Sequence, residues 1–388
     1  MKKILILTYI SILGGVEKAL VNVLKCIDYS KYDVDLFFYD STGPIRQLLP
    51  KEIKVVELIF KDQLIKEYFN IGARRLIPKY LKEFNLIKTL KILKYKISKK
   101  NLNYKDFYPI KKRYDLAICY HMHFPFLVQY VAEYVQADYK IAFIHSEIIN
   151  NKHFYNRIFK LKKYLDKYNY FYTVSEQVKK DFLYIFSEYT DKTKVKYNNV
   201  ITEEIVYLAK ERIDWIINND YIRIVTVARL NEEKGYELAI KTAIILKQKG
   251  IRFKWHFVGD GPQIEYLLSL VLSKGLKDYI IFEGGQLNPY KYIYNANIYV
   301  QPSLTEGWCL TLQEARILNK PIVTTNFATA YEQIKNGETG LIVEKTPQAI
   351  ADAIIELINN EELRNKVINN LKLENQNVKI ENVFEFPI

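Results

Sequence analysis

The chain has 388 residues, 49% of them hydrophobic and 26% charged, proportions that exclude wholesale disorder and fibrous classes, and its length points to two domains. The formal net charge of +13 raises nucleic acid as a partner, but residues 61–113 alone hold 16 Lys or Arg against 4 Asp or Glu. Nearly the whole excess lies in that one segment, which fits a surface patch for an anionic partner better than a generally basic protein.

Met-Lys-Lys followed by the apolar run Ile4 to Leu13 has the outline of a short signal peptide. Gly14-Gly15, however, lead directly into an amphipathic helix, Val16 to Cys26. A cleaved leader has no use for such a helix, so the run reads as a first buried strand. Further strand-like runs follow at Val34–Tyr39, Val55–Ile59, Leu116–Tyr120, Ile141–Ile144 and Phe171–Val174, with helical stretches between them. Inside the basic segment, Leu86, Leu90, Leu93 and Ile97 make an apolar stripe at helical spacing, with Lys88, Lys91, Lys94 and Lys99 projecting elsewhere. That stripe either packs on the domain core or lies on an anionic membrane.

After a polar interval from Thr202 to Asp220 the alternation restarts at Ile222–Val227, Lys254–Val258, Ile280–Phe282, Ile298–Gln301, Pro321–Thr325 and Leu341–Val343. Strands alternating with helices imply parallel sheets with crossover connections. The expectation is therefore an α/β protein of two doubly wound, Rossmann-like domains, residues 1–200 and 201–370, facing a central cleft. A tail, 371–388, ends in Phe384-Glu385-Phe386 and either docks back on the first domain or frays. In open α/β sheets ligands bind at the carboxyl ends of the strands. No apolar run approaches the ~20 residues of a spanning helix. Cys26, Cys119 and Cys309 share no metal-ligand spacing and are odd in number, which suits a reducing compartment. The expected location is cytoplasmic, or peripheral on the inner face of the plasma membrane.

The strongest chemical signal is Pro302-Ser-Leu-Thr-Glu-Gly-Trp-Cys-Leu-Thr-Leu-Gln-Glu-Ala315, just past a strand. Gly307 permits a tight turn after Glu306, and from Leu310 the pattern reads as a helix whose free N–H groups suit a diphosphate. Glu306 on the loop can accept hydrogen bonds from sugar hydroxyls, and Glu314, more than a turn into the helix, can reach paired ribose hydroxyls. Taken alone, both are equally readable as solvated helix charges. Val227-Ala-Arg-Leu-Asn-Glu-Glu-Lys-Gly235 places Arg229 and Lys234 on a strand-to-helix loop at the same cleft. Two cations there neutralise charge on a leaving nucleoside diphosphate, although in isolation they read as ordinary surface charges. Gly259 and Gly284 end two more strands and permit close backbone approach, or simple turns. His121, His123 and His145 stand at strand ends of the first half, where a lone histidine is more often a structural hydrogen-bonder than a catalyst.

Together these residues resemble retaining glycosyltransferases of the two-domain GT-B fold, glycosyltransferase family 4. The resemblance spans nearly the whole chain: Gly14-Gly15, His145, Thr173-Val-Ser-Glu176, Asn198-Asn-Val-Ile201, Arg229 with Lys234, Val258-Gly-Asp-Gly-Pro262, Gly284 and the E-x7-E pair Glu306/Glu314. It implies that Arg229 and Lys234 bind the donor diphosphate, Glu314 the ribose, and Glu306 and His145 the transferred sugar. Gly14, Gly15, Gly259, Gly284, Gly307, Trp308, Cys309 and Leu310 would complete the donor pocket, with His145, Glu306, Arg229 and Lys234 closest to the chemistry. It further implies transfer with retention from a UDP- or GDP-linked sugar to a glycan or lipid-linked acceptor, as in bacterial surface polysaccharide or glycolipid assembly. The departing phosphate itself would help deprotonate the acceptor, with no cofactor and no metal. Asp33-Val-Asp35 has the outline of a metal-binding pair but begins a strand far from these residues, and reads as structural.

Three departures from the family pattern concern glycines: Cys309, Asn199 and Asn319-Lys320 stand where the family often has Gly. They bear on the shape of the pocket and on which sugar fits, and they remove none of the charged groups. Two other readings compete. A basic nucleic-acid-binding protein explains the 61–113 segment, but it leaves the four charged cleft residues idle and lacks a nucleic-acid motif. A non-catalytic glycosyltransferase-like subunit predicts loss of those charged groups, all of which are present.

Overall fold

The computed structural model of the protein describes residues 1–10, 14–40, 44–61, 104–149, 152–213, 215, 220–377 and 385–387. They build two all-parallel sheets. The first has the order β3-β2-β1-β4-β5-β6-β7, from β1 (Lys2–Ile10), β2 (Tyr32–Asp40), β3 (Lys54–Glu57), β4 (Arg113–Cys119), β5 (Gln136–Ile144), β6 (Tyr170–Thr173) and β7 (Thr193–Val195). The second runs β10-β9-β8-β11-β12-β13, from β8 (Ile222–Val227), β9 (Phe253–Val258), β10 (Ile280–Gly284), β11 (Ile298–Gln301), β12 (Ile322–Thr325) and β13 (Leu341–Val343).

Strands buried on both faces read as unbroken apolar runs, and Ile4-Leu5-Ile6-Leu7 is such a run, entirely buried between β2 and β4. The apolar stretch with a leader's outline is thus, as far as Ile10, an interior strand of the first sheet. Each sheet is covered on both sides. Phe126, Tyr130 and Phe171 lead the packing on one face of the first, with Leu20, Leu24 and Phe143 on the other. Trp255 and Phe257 belong to the core on one face of the second sheet, with Tyr299 and Phe327 on the other.

In both sheets the strand order reverses beside the strand that comes first in the chain, between β1 and β4 and between β8 and β11. Crevices at such switch points lie outside the carboxyl ends of the strands. The segments that leave those four ends carry Gly14, His121, Arg229 and Glu306, so topology alone brings the candidate residues to one region.

Two features differ from the sequence expectation. β7 is a three-residue edge strand of sequence Thr-Lys-Val, too short and too mixed in polarity to register as an apolar run. The polar interval begins with a helix, Thr202–Ala209, whose Ile205 and Ala209 are buried against the second sheet's core. Asp33 and Asp35 lie on β2 and are held by Lys54 at 2.8 Å, Lys112 at 2.7 Å and the Tyr114 hydroxyl at 2.7 Å, a structural role. Leu86, Leu90, Leu93, Ile97, Lys88, Lys91, Lys94 and Lys99 lie outside the described residues. Among the described residues no helix is long and apolar enough to cross a membrane.

The helix Glu361–Asn377 lies along the second domain, where Glu374 pairs with Arg316 at 2.9 Å and Asn375 donates to Asn319 Oδ1 at 2.8 Å. Beyond it Phe386 is buried against the first sheet, its ring edge-on to Tyr32 at 5.0 Å.

Candidate functional site

The loop after β11 is built around Glu306. A chain of buried polar groups fixes its carboxylate. The Tyr299 hydroxyl donates to Gln301 Oε1 at 2.5 Å, Gln301 Nε2 to Ser303 Oγ at 2.7 Å, and Ser303 Oγ to Glu306 Oε1 at 2.7 Å. The second oxygen accepts from Lys234 Nζ at 2.7 Å, and Thr329 ties the Glu306 carbonyl at 3.0 Å. Networks satisfied this fully hold a side chain in one orientation. Burial alone would lower the Lys234 pKa, yet the Glu306 carboxylate outweighs it and holds the ammonium above its usual range.

Lys234 reaches Glu306 because of the residue after it. Gly235 has φ +69°, and a Cβ built there would lie 1.9 Å from the Pro302 carbonyl oxygen. Only glycine serves both the left-handed backbone and the close approach of the two loops. Arg229, on the same loop, is exposed toward the first domain. Gly259 packs behind it, its ideal Cβ 1.9 Å from the Ala228 carbonyl oxygen, and Gly259 N–H donates to Gly284 O at 2.8 Å.

The helix Leu310–Ile317 begins at Cys309, whose φ of −90° any residue can adopt, so the absence of glycine there costs no strain. Burial pushes the Cys309 thiol up to about 12, which leaves it an inert thiol at neutral pH. Trp308 donates to Gln313 Oε1 at 3.1 Å and lies 4.8 Å from the Tyr197 ring. Glu314, one turn into the helix, is buried and pairs with Lys18 of the first domain at 2.8 Å. Burial raises the Glu314 pKa while Lys18 opposes the shift, and the second carboxylate oxygen, Oε2, is buried without a hydrogen-bond partner.

The first domain supplies the opposite wall. Gly14 caps the helix Gly15–Lys25. A Cβ built on Gly14 would sit 2.4 Å from Glu17 Oε2 and 2.6 Å from Arg229 Nη2, so the glycine makes room where the two domains meet. Gly15 has open space beside it. His145, just past β5, lies 4.7 Å from the Tyr120 ring and 6.4 Å from His121. Both of its ring nitrogens are buried without a well-formed hydrogen bond. Burial pushes its pKa down to about 3, with only the Tyr120 backbone opposing, so it is a neutral imidazole with a donor and an acceptor to offer. His121 is likewise held well below its usual range by burial and by His145, His123 and Arg229.

The walls touch at several points. A Cβ on Gly307 would lie 2.2 Å from the His145 carbonyl oxygen. Thr305 donates to Glu147 at 2.6 Å. The Glu332 carboxylate accepts from Glu176 N–H at 2.9 Å and Gln177 N–H at 3.0 Å, a carboxylate at the positive end of the Glu176–Ile185 helix. Within the first domain, Asn22 donates to the carbonyl of Asn199 at 2.8 Å. Among the described residues no group of three or more His, Cys, Asp or Glu is arranged to hold a metal ion.

Sequence reasoning missed Glu17, Lys18, Glu147 and Glu332. For Glu17 a signal existed: with Leu20, Val21 and Leu24 it falls at i, i+3, i+4 and i+7 on the buried side of its helix, where a carboxylate requires a reason.

The buried His145 predicts a pH dependence. Its folded pKa lies below the unfolded value of 6.5, so the unfolded chain binds a proton the folded one refuses, and stability is lost as pH falls from 6.5 toward 3. Glu17, raised to about 7, acts oppositely, its contribution being present below 4.5 and lost as pH rises through 7. Thermal midpoints at pH 7 and pH 5 should therefore drop less on acidification for His145→Phe than for the native protein. An equal drop in both would contradict the buried, neutral assignment.

Comparison with known proteins adds a family match over part of the chain and a fold. Residues 209–374 match the model of the family described as Glycosyl transferases group 1. The capsular polysaccharide biosynthesis glycosyltransferase CapM of Staphylococcus aureus is 31% identical over 173 residues, 42% of this chain and 43% of that protein. The amylovoran biosynthesis glycosyltransferase AmsK of Erwinia amylovora is 32% identical over 145 residues, 35% and 36% of the two chains. Both matches span less than half the length of these curated relatives. The crystal structure of Anabaena Alr3699/HepE in complex with UDP and glucose superposes over 97% of this chain and 95% of its own, at TM-score 0.71 and 16% identity. Sucrose-phosphate synthase of Thermosynechococcus elongatus superposes over 97% and 94%, at TM-score 0.69 and 16% identity. The architecture is GT-B-like, with two Rossmann-like domains of parallel sheet.

Proposed function

We propose that the protein transfers a sugar, with retention, from a nucleoside diphosphate sugar to a glycan or lipid-linked hydroxyl acceptor, without a metal. One observation carries this reading. Two cations, Arg229 and Lys234, and two fixed carboxylates, Glu306 and Glu314, meet one cleft at the switch points of both sheets. The family match over residues 209–374 and the relatives' names support the reaction class. The nucleotide in the Anabaena neighbour supports a uridine diphosphate donor.

In this reading the bond from the sugar's anomeric carbon to the diphosphate oxygen breaks, and both electrons leave with the phosphate. Arg229 and Lys234 stabilise the charge that grows there, a role in which preorganised cations act without reorganisation cost. The acceptor oxygen bonds to the anomeric carbon from the face the phosphate leaves, and its proton passes to a departing phosphate oxygen. Glu306 and the neutral His145 hold hydroxyls of the moving sugar. The unpartnered Glu314 Oε2 is available to a ribose hydroxyl. The segment 61–113 would bring the first domain to an anionic membrane that carries the acceptor.

A panel of UDP- and GDP-sugars tested for thermal stabilisation, donor hydrolysis and transfer addresses this directly, and stabilisation by none of them would count against it. Glu314→Ala is expected to weaken donor binding roughly tenfold or more, as a lost charged hydrogen bond does, with a smaller change in the rate at saturating donor. Transfer is expected to persist in EDTA, because side-chain cations take the place of a metal on the phosphates. Complete loss, restored by Mg²⁺ or Mn²⁺, would overturn the metal-free route.

A further inference from the structure

The helix Gly15–Lys25 offers an anion position at its N-terminus, and Arg229 faces it from the second domain. That position is already filled. Glu17, only 5% exposed, turns its carboxylate back onto its own backbone N–H. Its Oε2 lies 2.4 Å and Arg229 Nη2 2.6 Å from the same point above Gly14, so the two atoms are within 5.0 Å of each other.

A diphosphate held by Arg229 would therefore sit beside Glu17, and two anions that close cannot both stay ionised in a buried site. We propose that Glu17 is the positioning residue for the donor diphosphate: it takes up one proton from solvent when a nucleotide sugar binds, and its neutral carboxyl then donates a hydrogen bond to a phosphate oxygen. This inference rests on the donor reading of the cleft.

The groups facing Glu17 permit this and nothing competing. From its own helix, Lys18 is engaged by Glu314 and held above its usual range, burial being outweighed by that carboxylate. From the loop after β8 comes Arg229. From the end of β4 comes Tyr120, whose phenol burial and Glu17 push far above neutrality, and His121, which interacts with Arg229, is held well below its usual range, chiefly by burial. Burial has already brought Glu17 up to about 7, against the pull of its own backbone N–H and of Arg229, so the bound phosphate has to keep it protonated about two pH units further. Around pH 7 to 9 Glu17 is the group among these that exchanges a proton.

Calorimetry of the full chain with UDP-glucose, UDP-N-acetylglucosamine and GDP-mannose, each at pH 8 in two buffers of different ionisation enthalpy, tests the idea. These probes lack a terminal phosphate monoester, whose second ionisation near pH ~6 would confuse the result. The binding probe is expected to take up close to one proton, and its affinity to fall about tenfold per pH unit from 7 to 9. Glu17→Gln is expected to bind without proton uptake and with an affinity flat in pH. Binding by the native protein with no proton uptake, or unchanged uptake in Glu17→Gln, overturns the proposal and leaves the donor reading standing. Failure of all three probes to bind overturns both.

Discussion

Gly307→Ala is expected to lower transfer roughly a hundredfold or more while leaving both domains folded. A Cβ at this position would lie 2.2 Å from the His145 carbonyl oxygen, 2.8 Å from its carbonyl carbon and 2.9 Å from Ser146 Cα. All three obstacles are main chain or its continuation at the end of β5, so none can rotate aside. The loop carrying Glu306 has to retreat from the first domain by an ångström or more. Misplacement on that scale costs roughly a hundredfold in rate, and here it separates Glu306 from His145 and strains the Thr305–Glu147 contact together. Transfer assays and a thermal scan check this. A variant that melts like the native protein yet transfers below a hundredth of its rate agrees, whereas full activity would mean that the productive state is more open than this one.

Lys234→Ala is expected to lower the rate at saturating donor by roughly a hundred- to a thousandfold, the loss typical of one preorganised group aimed at developing charge. The same change leaves Glu306 buried with its Ser303 contact but without its counter-charge. That is a destabilising arrangement, worth roughly 3 kcal/mol or more when a buried pair is broken from one side. Lys234→Ala/Glu306→Gln should recover much of the lost stability but none of the lost rate. Unchanged transfer in Lys234→Ala, measured at saturating donor, would remove the residue from the chemistry and leave it as a structural partner of Glu306.

Legibility in the sequence followed from where the determinants lie. The second-domain wall was readable because its parts are short contiguous runs, residues 302–315 and 227–235, each following an apolar strand. Their meeting through Lys234 and Glu306 follows from β8 and β11 being neighbours in the sheet. The first-domain wall was readable only at Gly14-Gly15 and His145. Lys18, Glu147 and Glu332 take their roles from the approach of one sheet to the other, a contact no local pattern encodes. For two of the glycine departures, Cys309 and Asn319, the backbone decides the case. Cys309 stands at φ −90° and needs no glycine. Asn319 stands at φ +53°, in the left-handed region, where asparagine is among the few side chains tolerated. Its Oδ1 is further held by Asn375, a residue from the far end of the chain.

The docking of Phe386 against Tyr32 has a mechanical meaning. The chain passes from the first domain to the second between β7 and β8, and the helix Glu361–Asn377 is still fastened to the second domain. Phe386 then returns to the first. Lys196 Nζ, at the end of β7 where the chain leaves the first domain, donates to Glu385 O at 3.5 Å, so the outgoing and the returning segments are fastened side by side. Two crossings fastened together act as one doubled hinge, and any opening of the cleft that draws Arg229 from Gly14 should pivot there. Removing Glu385 and Phe386 would leave that hinge a single strand rather than unfold either half.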